Sequence, residues 1–225
     1  MRGIFFLLIV GLVGGATLVG LGVWQLQRLA WKEAILADID ARIGAAPVPL
    51  PAAPDPVADR YLPVEVSGEI EPGEIQVLVS IKRVGPGLRI IAPFTTEDGR
   101  RILLDRGFVE IPEKETERLL GPMTVTGNLH WPQETDSFTP EPDPVSDTWF
   151  ARDVPMMAAS LQTEPVLLVA RSRTGPGIRP LPVDSAAVPN DHLQYAITWF
   201  SLALIWAGMT VYFLWRGRAG AERES

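Results

Sequence analysis

The chain has 225 residues, a formal net charge of −7, two histidines and no cysteine. The absence of cysteine excludes thiolate metal sites and CxxC redox chemistry, and the acidic balance argues against nucleic acid as a partner. The length suits one domain of ordinary size with attached segments.

Two uninterrupted apolar runs, residues 4–23 and 195–214, predict two transmembrane helices. Each run is uncharged and long enough to cross a hydrocarbon core of about 30 Å. A cleaved signal peptide is the alternative for the first run. That run is longer than a typical signal region, and no small-x-small cleavage pattern follows it. Small residues spaced by four, Gly11 with Gly15 and Ala203 with Ala207, predict that the two helices pack together.

The basic residues near the two ends predict the orientation in the bilayer. Arg2 precedes the first helix, and Arg216, Arg218 and Arg223 follow the second. The positive-inside rule therefore assigns residues 1–3 and 215–225 to the cytoplasm. We expect a multi-pass protein of the bacterial inner membrane with its large domain in the periplasm. In a eukaryote the corresponding membrane is the mitochondrial inner membrane.

A juxtamembrane helix is predicted over residues 24–46. Trp24, Arg28 and Trp31 are spaced by four and three residues, which places them on one helical face. The tryptophans suit interfacial anchors, whereas the arginine could pair with a lipid phosphate, an acidic group or a ligand carboxylate. Five prolines then indicate a stiff linker over residues 47–60.

Residues 61–189 predict a β-rich domain. Asp98-Gly99 indicates a hairpin, and Asp153 is a suitable N-cap for a short helix over residues 154–161. A charged helix is predicted over residues 113–120 and an exposed acidic loop over residues 132–147. Six strands are predicted at residues 64–67, 74–84, 88–95, 101–109, 123–130 and 166–173. The predicted fold is a membrane-anchored α+β protein. Its two transmembrane helices flank a mainly antiparallel domain, either a barrel or a curled sheet.

Catalytic motifs are missing from the sequence. It contains no phosphate-binding glycine loop, HExxH motif or nucleophile-elbow serine, so we expect a protein that is not an enzyme. Asp105-Arg106 suits an ion pair at a strand end better than a catalytic acid. Imidazole is the best metal ligand that remains in this composition.

His192 is the leading candidate for a metal ligand. Asn190 is a predicted N-cap, so residues 190–214 would form the second helix with its N-terminal turn, and His192 would lie in that turn. The positive end of the helix dipole favours a neutral imidazole, which keeps a lone pair for a metal. Tyr195, Trp199 and Trp206 follow at helical spacing and could support a flat apolar ligand. The alternative is that they belong to an interfacial aromatic belt or pack between helices, and for Trp206 helix packing is favoured.

Several blocks in this order resemble the surfeit locus protein 1 family, whose members are assembly factors of cytochrome c oxidase. The matching segments are residues 21–25 with Arg28, Trp31 and Lys32, then residues 64–68, 98–109, 149–153 and 190–200. Asp191 departs from the asparagine that is usual in the family. The resemblance extends over nearly the whole chain.

The resemblance implies that the protein binds haem a and supports its insertion into the oxidase core catalytic subunit. It implies His192 as the ligand of the haem iron, with Trp24 beside it. Tyr195 and Trp199 would line the macrocycle, and Arg28 could meet a haem propionate. The expected partners are the oxidase core subunit, the haem a synthesis machinery and the lipid bilayer. The alternative is a cofactor-free membrane scaffold that stabilises an oxidase assembly intermediate. Copper delivery is disfavoured because the chain has no cluster of cysteine, methionine or histidine.

Overall fold

Two long helices begin and end the described chain. The computed structural model describes residues 2–82, 84–143, 148–185 and 189–221. Helix α1 is continuous from Arg2–Ile43, and helix α3 covers His192–Ala221. Both are long and apolar enough to cross a membrane, and their apolar windows are 6% and 0% buried. These are therefore not the buried core helices of a soluble fold. Arg223, used in the orientation argument, lies outside the described residues.

The two helices pack through glycines, as the sequence predicts. Trp206 Nε1 donates a hydrogen bond to the carbonyl oxygen of Gly11 at 3.0 Å. A Cβ added at Gly14 would lie 2.6 Å from the Trp206 ring, and one at Gly22 would lie 2.8 Å from Phe200. Only a residue without a side chain allows such close approach of two helices. Trp206 is therefore a helix-packing residue.

The small residues that α3 contributes differ from the predicted pair. Ala203 is buried, but Ala207 is exposed, and Ala196 is buried instead. Ala196 and Ala203 are seven residues apart, which is about two helical turns, so they lie on the same face of α3. The predicted pair is therefore wrong in its second member, Ala207, which does not lie in the helix interface.

The β-domain is built from eight described strands. Their bounds are β1 Val48–Pro49, β2 Pro63–Ile70, β3 Ile75–Ile81, β4 Gly85–Thr96, β5 Arg101–Glu110, β6 Gly121–Leu129, β7 Thr148–Trp149 and β8 Leu167–Ala170. The sheet order is β1-β2-β6-β8-β5-β4-β3-β7, and β2 also pairs with β4. That additional pairing closes β2, β6, β8, β5 and β4 into a barrel, which leaves these strands without open edges. All six predicted strands are present.

The barrel is mixed. Five of the described pairings are antiparallel, whereas β1 with β2, β3 with β7 and β5 with β8 are parallel. Apolar side chains from the strands of the barrel and from helix α2, Val154–Leu161, form one core cluster. Ile70, Phe94 and Leu104 are among its fully buried members. The predicted N-cap is confirmed, because Asp153 Oδ1 accepts the Met156 N–H at 3.0 Å.

A bulge interrupts β5 in its middle. Ile90 pairs with Gly107 and Ile91 with Asp105, so Arg106 has no partner in the ladder. Gly107 has φ +120°, and a Cβ there would lie 2.2 Å from the carbonyl oxygen of Arg179. Glycine is therefore required at this position.

Asp105 and Arg106 do not form the predicted ion pair. Asp105 pairs with Arg89 instead, and Arg106 lies in the bulge. Both residues are fully buried rather than placed at a strand end. Arg106 Nη2 donates to the carbonyl oxygens of Leu119 and Thr174, so the two neighbouring side chains meet different surroundings.

Residues 113–120 differ from the prediction, and residues 47–60 include one short strand that was not predicted. Residues 47–60, predicted as a linker, contribute β1, and the carbonyl oxygen of Pro51 accepts from Arg100 Nη1 at 2.7 Å. Residues 113–120 form no α-helix; the helical part is a 3₁₀ turn over Ile111–Glu113. Arg118 Nη2 donates to the carbonyl oxygens of Glu113 and Lys114, so a side chain takes the acceptors that a helix would use.

The chain divides into two compact units. Residues 1–38 with 186–225 form the helix pair, and residues 39–185 form the β-domain. The Asp98-Gly99 turn is confirmed in the second unit, where Gly99 has φ +83° between β4 and β5. The predicted acidic loop is joined to this unit at Glu134, which binds Arg152. Its residues 144–147 lie outside the described residues.

Candidate functional site

His192 is held by a glutamine of the neighbouring helix. His192 is the first residue of α3, and its Nδ1 lies 2.8 Å from Gln25 Oε1 on α1. Because a carboxamide oxygen only accepts, Nδ1 donates and carries the ring proton. The opposite nitrogen, Nε2, then holds a lone pair. This is the arrangement of a metal-binding histidine, whose second nitrogen is oriented by a hydrogen bond.

Gln25 is the site residue that the sequence analysis did not name. Its exposed fraction is 8%, although it is polar and lies in an apolar helix pair. It also falls on the inward stripe that contains Gly22 and Leu29, at spacings of three and four. A polar residue on such a stripe marks a functional position in a membrane helix. That periodicity was the signal that could have identified Gln25.

The start of α3 differs from the prediction by one residue. Asp191, rather than Asn190, precedes the first helical residue, and its carbonyl oxygen accepts the Tyr195 N–H at 3.2 Å. The Oδ1 atom of Asn190 is buried and has no hydrogen-bond partner among the described residues. Asn190 is therefore not the N-cap, and His192 occupies the opening position of the helix.

The aromatic candidates divide into exposed and packed residues. Trp24 and Tyr195 are 50% and 56% exposed, whereas Trp199 is half-buried. Trp24 is the sequence neighbour of Gln25, and Tyr195 lies one helical turn from His192. Two large, accessible aromatic side chains therefore lie within one helical turn of His192 or Gln25 along the chain.

Arg28 contacts one of its two predicted tryptophans. Its guanidinium carbon lies 4.6 Å from the centroid of the Trp31 ring, a cation–π contact. The expectation that Trp24 holds it from the other side has no counterpart in the described contacts. The stacked guanidinium retains its in-plane N–H donors for an anionic group.

A protein-built metal centre is not found in the described part of the chain. No three residues among histidine, aspartate and glutamate lie close enough there to hold an ion together. A single imidazole such as His192 is sufficient only for a metal that arrives with most of its ligands, as iron does in a haem. The donor set at the helix pair therefore fits a haem iron better than a free ion.

A buried charge network lies in the β-domain. Asp105 Oδ2 accepts from Arg89 Nη1 at 2.5 Å and lies 3.5 Å from Arg152 Nη1, while Asp105 Oδ1 accepts the Gly107 N–H at 3.1 Å. Arg152 also pairs with Glu134. One carboxylate with no exposed surface thus joins two arginines and the bulge. This network holds β4 and β5 to the segment that precedes α2.

His130, the second histidine, is close enough to Arg152 of this network to be affected by its charge. Its ring stacks on Tyr61 with centroids 5.4 Å apart. Burial, followed by the positive charges of Arg152 and Arg60, lowers the pKa of His130 to about 4. The residue is therefore neutral at pH 7 and belongs to the packing of the β-domain.

The depressed pKa predicts a pH-dependent stability. Protonation of His130 favours the unfolded chain, where its pKa is about 6.5. The folding stability that neutral His130 contributes is fully present above pH 6.5 and is lost as the pH falls towards 4. We expect acidification from pH 7.5 to 4.5 to cost about 2–3 kcal/mol more in the wild type than in His130→Phe. Hydrogen exchange of barrel amides at both pH values measures this difference, and equal losses in the two proteins would contradict it.

Comparisons with known proteins identify a family. The model of the SURF1 family matches residues 12–204. Surfeit locus protein 1 of Rattus norvegicus is 31% identical over 210 residues, which cover 83% of this chain and 69% of the relative. The human protein of that name is 30% identical over 211 residues, with coverages of 83% and 70%. A SURF1-like protein of Monosiga brevicollis is 31% identical over 221 residues, with coverages of 88% and 84%.

The family match includes both units of the structure. It begins within α1, contains the whole barrel and ends within α3, so it includes both Gln25 and His192. The relatives match over most of their own length. The chain therefore belongs to the SURF1 family.

Proposed function

We propose that this protein is a membrane-anchored assembly factor of a haem–copper oxidase that binds haem a and supports its insertion into the catalytic core subunit. The observation that carries the proposal is the His192–Gln25 hydrogen bond at the start of α3. Membership of the SURF1 family supports the general part, a role in cytochrome oxidase assembly. The binding of haem a is the specific part.

The chemistry of the helix pair suits a haem. A haem would bring most of the ligands of its iron, and His192 would hold the iron through Nε2. The hydrogen bond from Nδ1 to Gln25 fixes the ring orientation and makes the imidazole a better donor. The bound group would contribute redox-active iron in an apolar macrocycle. Trp24, Tyr195 and Trp199 would provide aromatic surface for it.

Arg28 is suited to the polar edge of the same ligand. A haem propionate is a carboxylate, and guanidinium is the side chain that binds carboxylates with two parallel hydrogen bonds. The Trp31 ring restricts Arg28 at 4.6 Å, which lowers the entropy lost when it binds an anion.

We further infer the inner membrane of a bacterium as the location, with the β-domain in the periplasm, or the mitochondrial inner membrane in a eukaryote. Two helices with apolar windows that are almost unburied support membrane anchoring. The arginines at both ends of the sequence support cytoplasmic termini by the positive-inside rule.

A cofactor-free scaffold is the second candidate. It is favoured by the exposed acidic loop of the β-domain, where Phe138 is 89% exposed beside Asp136 and Glu134. Exposed acidic residues can complement a basic surface on another protein. In this alternative the helix pair would bind the oxidase core subunit directly.

The visible spectrum of the purified wild type separates the two functions. The full chain would be co-expressed with the enzymes of haem a synthesis, extracted in mild detergent and compared with protein from cells that make only haem b. We expect a haem a spectrum at close to one haem per chain. A protein that copurifies with the oxidase core subunit but carries no haem would select the scaffold.

A further inference from the structure

A groove on the surface of the helix pair has no part in the proposed haem site. It has a volume of about 200 Å³ and lies between residues 7–11 of α1 and residues 206–213 of α3. Trp206, the groove residue nearest to His192 in the sequence, is fourteen residues from it, which is about 21 Å along the helix axis. The groove and the haem site are therefore separate.

The half-buried residues of the groove are held by contacts within the helix pair. Trp206 Nε1 donates to the carbonyl oxygen of Gly11 at 3.0 Å, and Thr210 Oγ1 donates to the carbonyl oxygen of Trp206 at 2.8 Å. The polar side-chain atoms of Trp206 and Thr210 are thus already satisfied. An occupant of the groove can therefore be wholly apolar without leaving a polar group unpaired.

Three further groove residues are large, apolar and accessible. Val10, Met209 and Phe213 are 37%, 51% and 44% exposed, so an occupant can contact them directly. The volume of the groove, about 200 Å³, slightly exceeds that of a cavity of about 150 Å³ that holds one benzene ring. The groove therefore suits a slender hydrocarbon chain and is too small for a macrocycle.

The groove does not suit close packing of a further helix. Membrane helices approach one another over small residues. Gly11 is the smallest residue of the groove, and a Cβ added to it would lie 2.3 Å from Thr210 Cγ2. The close-approach position of α1 is therefore already occupied by α3. A lipid chain needs no such position.

A basic side chain lies on the same face of α3, just beyond the groove. Arg216 follows Phe213 by three residues and Met209 by seven. It is exposed, its Nη1 donates to the Tyr212 hydroxyl at 3.2 Å, and it forms no ion pair with another described residue. Arg216 therefore retains N–H donors and a positive charge for an anion, and Tyr212 retains its hydroxyl proton.

The depth of Arg216 suits a lipid headgroup. Arg216 is the first charged residue after the apolar run of residues 195–214. Along the helix axis it lies about 4.5 Å beyond Phe213 and about 10 Å beyond Met209. A phospholipid has its phosphate just outside its acyl chains, so the cation and the apolar groove follow one another in the order that such a lipid requires.

We propose that the helix pair binds one anionic phospholipid, such as phosphatidylglycerol, at this groove. One acyl chain lies against Val10, Met209 and Phe213. The phosphate accepts from the guanidinium of Arg216 and from the hydroxyl of Tyr212. A zwitterionic lipid has the same chains, but the ammonium of its headgroup weakens the attraction to Arg216.

Native mass spectrometry of the full chain, released from detergent and titrated with two lipids, tests the proposal. Dioleoylphosphatidylglycerol and dioleoylphosphatidylcholine have identical chains and differ only in their headgroups. We expect the first lipid to bind about fivefold more tightly when it is phosphatidylglycerol, which is the effect of one arginine on an anionic lipid. Equal affinities for the two lipids overturn the proposal.

Arg216→Gln tests the headgroup contact. The affinity for phosphatidylglycerol should fall to that for phosphatidylcholine, and the affinity for phosphatidylcholine should not change. Arg173→Gln removes the same charge at an exposed position of the β-domain, so it is the matched control and should keep the wild-type preference. A preference for phosphatidylglycerol that persists in Arg216→Gln contradicts the assignment.

Met209→Trp tests the groove itself. The larger ring occupies part of the groove, so both lipids should bind about fivefold more weakly, as expected when one or two methylenes lose their burial. Leu204→Trp places the same ring at a 75% exposed position of α3 outside the groove and should bind both lipids like the wild type. Unchanged affinities in Met209→Trp would show that the acyl chain lies elsewhere. A two-chain complex that forms without lipid and dissociates in Met209→Trp would show that a second copy occupies the groove instead.

Discussion

His192→Ala is expected to abolish stable haem binding by the full chain. The described part of the helix pair offers no second imidazole, and the other histidine of the sequence, His130, belongs to the β-domain. Alanine removes the only nitrogen ligand that α3 can supply to the iron. The expected haem content falls from close to one per chain to a small residual fraction, measured by the visible spectrum and by extraction of the pigment.

Gln25→Leu tests whether the hydrogen bond contributes to the same site. Loss of the partner of a ligating histidine costs about 10- to 100-fold in affinity, because the ring is no longer oriented and its basicity falls. Gln27→Leu is the matched control, since it makes the same change two residues further along α1 at an exposed position. We expect Gln27→Leu to retain the wild-type haem content under conditions in which Gln25→Leu releases haem on dilution.

Added imidazole distinguishes a lost ligand from a damaged fold. A free imidazole can occupy the space left in His192→Ala and bind the iron, so it should restore part of the haem spectrum. It should not help a variant in which α1 and α3 have separated. Unchanged haem content in His192→Ala would disprove the ligand assignment, whatever the effect of imidazole.

Asp105→Ala is expected to lower the free energy of unfolding of the β-domain by about 3–5 kcal/mol. The carboxylate is fully buried between Arg89 and Arg152 and also accepts the Gly107 N–H. Its removal leaves Arg89 buried without its carboxylate and leaves the bulge without an acceptor. Hydrogen exchange of the amides of β5 and β8, followed by mass spectrometry in the intact protein, measures the loss.

A surface ion pair and a double variant are the controls for this effect. Glu164→Gln disrupts the ion pair between Glu164 and Arg100. The Glu164 side chain is 41% exposed, so the substitution should cost about 1 kcal/mol or less. Asp105→Leu combined with Arg89→Met removes both charges and should be more stable than Asp105→Ala. An Asp105→Ala protein as stable as Glu164→Gln would show that the buried network contributes little.

Much of the fold was predictable because local patterns agreed with one another. Uninterrupted apolar runs identified both long helices, and alternation with glycine turns identified six strands. The prediction failed at residues 113–120, where helix-forming residues lie beside β5. The side chain of Arg118 binds carbonyl oxygens there, so a tertiary contact replaces the helical hydrogen bonds. The two-residue strand β1 within residues 47–60 was not predicted, because proline content gives no sign of pairing with β2.

The site was predictable in part. His192 stood out because the composition contains so few metal ligands, and its position at the start of a helix followed from the apolar run after it. Its partner Gln25 lies 167 residues away in the chain and was not identified. The pairing requires the antiparallel packing of α1 on α3, which brings Gly11 to Trp206 and Gly22 to Phe200.

The sequence by itself predicted the two membrane-capable helices, most of the strands and the candidate metal-ligating histidine, because each follows from composition or from the spacing of neighbouring residues. The tertiary structure alone decided that β2 pairs with β4 to close the barrel, that Asp105 binds Arg89 rather than Arg106, and that Gln25 orients His192. These contacts join residues distant in sequence. Their selection depends on which arrangement buries apolar surface while satisfying each buried polar atom, and that balance involves the whole fold.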